Sequence, residues 1–109
     1  MDNDVRILVV DDSPQMLRAT CQIVKLAGYN TLEAHDGRSC LQMIEKHSPD
    51  LVLLDVMLPD INGFELARQI KSNPNFISTF VVLYSGTKVK DRDKVEGLKA
   101  GADGYIVRP

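Results

Sequence analysis

Three aspartates stand where apolar runs stop. Asp11 and Asp12 follow the run Val5–Val10, and Asp55 follows Leu51–Leu54. A hydroxyl, Ser85, closes a third run over Phe80–Tyr84, and a cation, Arg108, closes a fourth over Tyr105–Val107. Taken singly, a strand-end Asp is a cap or a turn former, and Asp12 stands where it can cap a following helix. Three from two strands are a different matter, because crowded carboxylates repel unless a cation neutralises them. A hard divalent ion with oxygen ligands and retained waters meets that need, and magnesium fits best. Asp55 then has a second use. A carboxylate can attack a phosphoryl group to form an aspartyl phosphate. Magnesium would screen its charge from the incoming anion, while Ser85 and Arg108 would hold the phosphoryl oxygens.

Positioning these groups falls to an alternation of short β-type runs and helical stretches. The runs are Val5–Val10, Leu51–Leu54, Phe80–Tyr84 and Tyr105–Val107, with a weaker, more polar one at Tyr29–Ala34 that suits an edge strand. Continuous β-branched runs bounded by turn residues indicate strands buried on both faces, as in a parallel sheet. Between them, Leu17, Cys21, Val24 and Ala27 share a helical face that stops at Gly28, a favoured αL position. Asp12-Ser13-Pro14 supplies capping candidates and a proline for the first turn. Leu41 and Ile44 mark a second helix ended by Ser48-Pro49, Phe64, Ala67 and Ile70 a third ended by Asn73-Pro74, and Val95, Leu98 and Ala102 a fourth. Right-handed crossovers turn this order into a doubly wound α/β domain. In such a sheet, ligands bind beyond the carboxyl ends of the strands, where the aspartates lie.

Composition narrows the function further. At 109 residues, 44% hydrophobic and 26% charged, the chain is an ordinary globular domain with one core. A net charge of −2 leaves no basic footprint, so direct nucleic-acid binding by this segment is not expected. Apolar runs are too short to span a membrane, and the acidic start Met1-Asp2-Asn3-Asp4 is no secretory signal. Cys21 and Cys40 lack metal-ligand spacing and read as core hydrophobes in a reducing cytoplasm. His35 and His47 read as surface residues. Lys88, Lys90 and Lys94, interleaved with Asp91, Arg92 and Asp93, read as a solvated, salt-bridging stretch.

The sequence resembles the response-regulator receiver domains of two-component signalling. The resemblance is carried by Ile7-Leu8-Val9-Val10-Asp11-Asp12-Ser13, by Leu54-Asp55-Val56-Met57-Leu58-Pro59-Asp60-Ile61-Asn62-Gly63, by Ser85-Gly86, and by Gly101-Ala102-Asp103-Gly104-Tyr105-Ile106-Val107-Arg108-Pro109. It spans essentially the whole chain. It implies a flavodoxin-like five-stranded parallel sheet of order 2-1-3-4-5 and makes residues 1–109 one receiver domain. Asp55 would be the phosphoacceptor. Asp12, Asp55 and the Met57 carbonyl would ligate Mg2+, with Asp11 helping through water. Ser85 would be the switch hydroxyl and Tyr105 the switch aromatic. A histidine kinase or phosphotransfer protein would be the donor, and a downstream effector domain or protein the recipient of the signal. Independently of the resemblance, Pro59 and Gly63 read as residues that shape the loop after the third strand and the start of the next helix.

Two features depart from the family. Arg108 stands where Lys is usual: either a charge-conserving swap, or a guanidinium that pairs with the pocket carboxylates and guards their entrance. The family's fifth helix is missing, so the chain is expected to be the N-terminal part of a longer protein. Val5, Ile7 and Val9, or their alternates, with Ile106 or Val107, would then lie partly uncovered. A homodimer, or lower stability than a chain extended past Pro109, is expected in consequence.

Three other readings compete with this one. A flavin carrier would want a Gly- or Ser/Thr-rich loop after the first strand, where this chain has Asp11-Asp12-Ser13. An aspartyl phosphatase needs an acid two residues past its nucleophile, and that position is Met57. The chemistry expected is at most phosphorylation and dephosphorylation of Asp55 itself, without turnover of an external substrate. The third rival is a degenerate receiver acting as a phosphorylation-independent binding module.

Overall fold

Each apolar run becomes a strand and each helical stretch a helix, although the fourth helix ends at Lys99, short of Ala102, and leaves Val95 and Leu98 exposed. In the computed structural model, which describes residues 4–85 and 91–107 (side chains 91–94 excepted), the order is β1 Arg6–Val10, α1 Pro14–Leu26, β2 Asn30–Ala34, α2 Gly37–His47 and β3 Leu51–Asp55. There follow α3 Gly63–Ser72, a 3-10 turn at Pro74–Phe76, β4 Phe80–Ser85, α4 Asp91–Lys99 and β5 Gly104–Val107. The strands form one parallel sheet of order β2-β1-β3-β4-β5, with polar β2 at an edge. Because all five run the same way, Asp11, Asp55 and Ser85 meet at one rim.

Helix boundaries follow local chemistry. α1 opens on Ser13, whose hydroxyl accepts the Met16 N–H, with Pro14 in the first turn. Ser13, not Asp12, is therefore the cap, and the Asp12 side chain joins the acidic cluster. Gly28 has φ +99°, as the end of α1 requires. The 3-10 turn had no counterpart in the hydrophobic pattern, since three residues are too short to show a period.

Two clusters flank the sheet. On one face Leu8, Val10, Val52, Leu54, Val81 and Leu83 pack against α2 and α3 through Cys40, Ile44, Leu66, Ala67 and Ile70. On the other, Ile7 and Val9 pack against Leu17 and Cys21 of α1. Ile7 and Val9 are thus buried, contrary to expectation, because α1 lies directly over β1. The other positions expected to be uncovered are so: Val5, Ile106 and Val107 are exposed, and Phe80 is exposed as well. Among the described residues there are four α-helices, and none is long and apolar enough to cross a membrane. Both cysteines are buried free thiols; burial pushes Cys21 up to about 11 and Cys40 up to about 12, so both stay neutral near pH 7.

Candidate functional site: an acidic pocket at the carboxyl rim

β1 ends at Val10, and the chain turns at once into α1. The turn is held by Asp11, whose Oδ1 accepts the Ser13 N–H at 2.9 Å while its own N–H donates to the Ala34 carbonyl at 3.1 Å. The other oxygen of Asp11 accepts the Tyr84 hydroxyl at 2.8 Å. Asp11 is 1% exposed and Asp55 6% exposed, whereas Asp12 is open to solvent. One carboxylate oxygen from each of the three lies within 4.8 Å of the others. Among the described residues, this set of oxygen donors is of the right kind and spacing for a hard divalent cation that keeps several waters. The expected Mg2+ ligands Asp11, Asp12 and Asp55 are therefore brought together.

Asp55 is the last residue of β3, the central strand. Its Oδ1 accepts the Met57 N–H at 3.0 Å, which fixes the backbone of the residue expected to offer its carbonyl. The loop that follows is fastened at three points. Met57 bridges to Asn62, the Gly63 N–H donates to the Val56 carbonyl at 2.8 Å, and Asn62 caps α3 through the Phe64 N–H at 2.8 Å. A Cβ on Gly63 would lie 2.5 Å from the Asp55 carbonyl oxygen and 2.6 Å from Val56 Cα, so only glycine allows α3 to start this close to the site.

Asp60, in the same loop, reaches across to α2. Its two oxygens accept the Gly37 N–H at 2.9 Å and the Arg38 N–H at 3.1 Å. Asp36, the residue before α2, accepts the Ser39 N–H at 2.7 Å, and the bonds from Ser39 hold its carboxyl below the usual range. Asp60 was missed as a functional residue by sequence reasoning. Its partners lie more than 20 positions away, and no local spacing announces them.

Ser85 is buried and ends β4 one register step beyond the Asp55–Tyr84 pair, so it borders the pocket. Tyr105 lies deeper, paired with Leu83 on β5, half-buried, and stacked on Phe64 with ring centroids 6.2 Å apart. Gly97 of α4 makes room for it, since a Cβ there would come within 2.9 Å of the Tyr105 ring. Arg108, Gly86, Lys88 and Lys90 lie outside the described residues, as do the side chains of Asp91–Lys94. His35 is exposed, and His47 is half-buried with its carbonyl accepting a hydrogen bond from Arg6.

A family model described as "Response regulator receiver domain" matches residues 7–109. Regulatory protein VanRc of Enterococcus gallinarum is 39% identical over 95% of this chain and 43% of its own length. Alkaline phosphatase synthesis transcriptional regulatory protein PhoP of Bacillus subtilis is 36% identical over 95% of the chain and 42% of its own. The chain thus spans less than half the length of these curated relatives. Among solved structures, a CheY-like response regulator receiver domain protein of Methanospirillum hungatei JF-1 superposes with a TM-score of 0.83 at 34% identity, over 98% of this chain and 83% of that one. The BeF3-activated N-terminal receiver domain of Klebsiella pneumoniae RstA gives 0.86 at 26%, over 95% and 87%. The cluster of Asp11, Asp12 and Asp55 fits the phosphorylation site of such proteins.

Proposed function

Since this chain belongs to the response regulator receiver domain family, we propose that it is a cytoplasmic phosphorylation switch with Asp55 as the phosphoacceptor. The observation that carries this reading is the convergence of three carboxylates within 4.8 Å around the end of the central strand. The donor is a phosphorylated histidine on a kinase or phosphotransfer protein. A carboxylate oxygen of Asp55 attacks phosphorus in line, an O–P bond forms as the N–P bond breaks, and the imidazole leaves with the electron pair.

Asp12, Asp55 and the Met57 carbonyl would hold Mg2+ directly, and Asp11 would do so through water. When bound, the ion neutralises charge that would otherwise repel the phosphoryl group. The chain's own groups do the rest. The Met57 N–H and the neighbouring loop aim the Asp55 carboxylate, Ser85 donates to a phosphoryl oxygen, and Arg108 supplies positive charge at the rim. About two added negative charges then draw Ser85 inward, and Tyr105 turns in behind it. A surface around α4 and β5 would report the change to an effector domain or protein.

Intact mass after incubation with magnesium and a small acyl-phosphate donor tests the acceptor. One phosphoryl group should appear on the wild type and none on Asp55→Asn. An unmodified wild type would favour a module that binds its partner without phosphorylation, and a modified Asp55→Asn would move the acceptor elsewhere.

A further inference from the structure

Tyr84 is the largest fully buried side chain among the described residues, 2% exposed, and the acceptor reading gives it no task. It lies on β4 in register with Asp55. Its hydroxyl nevertheless reaches β1, on the far side of β3 in the sheet order. There it lies 2.8 Å from Asp11 Oδ2 and 3.3 Å from the Val10 carbonyl. The hydroxyl has one proton to give, and an ionised carboxylate at the shorter distance is the stronger acceptor. With the Ser13 N–H on Oδ1 at 2.9 Å, Asp11 has a donor on each oxygen, which fixes the plane of its carboxylate. That carboxylate lends one oxygen to the cluster it shares with Asp12 and Asp55, all within 4.8 Å of one another.

We propose that Tyr84 is a positioning residue of the divalent-cation site, orienting the Asp11 carboxylate toward Mg2+ through its hydroxyl. This role rests on the reading of the acidic pocket as a magnesium site. Groups that hydrogen-bond metal ligands commonly change metal affinity by about 10- to 100-fold when removed. The hydroxyl also offsets the crowding of three carboxylates before an ion arrives. Because Tyr84 directly precedes Ser85, the same bond anchors β4 at its last residue before the switch hydroxyl.

The test is calorimetric titration of the unphosphorylated protein with Mg2+ alone. Tyr84→Phe keeps the ring and deletes only the hydroxyl, and it should bind Mg2+ about 10-fold more weakly than wild type. In an Asp11→Asn background the same change should add nothing, because Tyr84 acts through Asp11. A purely structural role would instead add its full effect in both backgrounds. A readout that needs no change at Tyr84 is the near-ultraviolet tyrosine spectrum of a Tyr29→Phe, Tyr105→Phe double variant, which should shift on addition of Mg2+. Equal affinities for wild type and Tyr84→Phe, additivity with Asp11→Asn, or a spectrum indifferent to Mg2+ would each overturn the role of Tyr84 alone. If neither binding heat nor any spectral change with Mg2+ were seen, the magnesium site would fall and this role with it.

Discussion

At Gly63 one hydrogen atom in place of a methyl group decides how closely a helix may approach the acceptor. The Cβ of any other residue would strike the backbone of Asp55 and Val56 at 2.5 and 2.6 Å. Backbone cannot rotate aside as a side chain can, so the strain must be relieved by moving the loop. Gly63→Ala should therefore lower stability by about 1–3 kcal/mol, read as a lower urea midpoint. It should also weaken Mg2+ binding, because the displaced backbone carries Met57. A variant with wild-type midpoint and wild-type affinity would show that the loop has slack. This glycine was legible as a loop-shaping residue from its place after Pro59. The size of the constraint was not, since it depends on how near β3 and α3 come in space.

The element that links the pocket to the remainder of the fold is α2. Its first N–H groups have no partners within the helix, and two aspartates from different parts of the chain supply them. Asp36 serves Ser39, and Asp60 serves Gly37 and Arg38. Because Asp60 belongs to the loop after Asp55, this cap also ties that loop to α2. Asp60→Ala should cost about 0.5–2 kcal/mol, as loss of a cap does. Hydrogen exchange should speed up at Gly37 and Arg38 and also across residues 56–62; faster exchange confined to α2 would mean that the cap does not restrain the loop. The strands, the helices and the three carboxylates could be read from the sequence because runs, periods and strand-end residues are local signals. Asp60 and Tyr84 could not. Each acts on a partner brought near only by the sheet: Tyr84 and Asp11 are 73 positions apart. The apolar composition of β4 marks Tyr84 simply as core. Even the misplaced expectation for Ile7 and Val9 has this origin, since periodicity shows that a strand face is apolar but not which helix covers it.

Across the whole molecule the two faces of the sheet are treated unequally. One is packed by α2 and α3, with α4 close against Tyr105; the other carries α1 over β1 and part of β3. Beyond α1, Phe80 at the start of β4 is 59% exposed and Ile106 on edge strand β5 is 50% exposed. Their registers with Leu51 and Tyr84 place both on the α1 side of the sheet. On α1 itself Ile23 and Leu26 are exposed as well. Apolar positions of this kind, beside an unpaired strand edge, favour association, and a charge on the edge opposes it. Sedimentation velocity should therefore show mass rising with concentration for this chain, and Ile106→Lys should hold it monomeric without lowering its melting temperature. Lysine tolerates the position because half of it already faces water and its stem can lie along the sheet. A wild type that stays monomeric throughout the concentration series would show that the face is tolerated in water. A variant that associates as before would locate the contact elsewhere, on the exposed side of α1. Ile106 pairs in register with Tyr84, so any partner seated there would rest within one residue of both Ser85 and Tyr105, and its affinity should change when Asp55 carries a phosphoryl group.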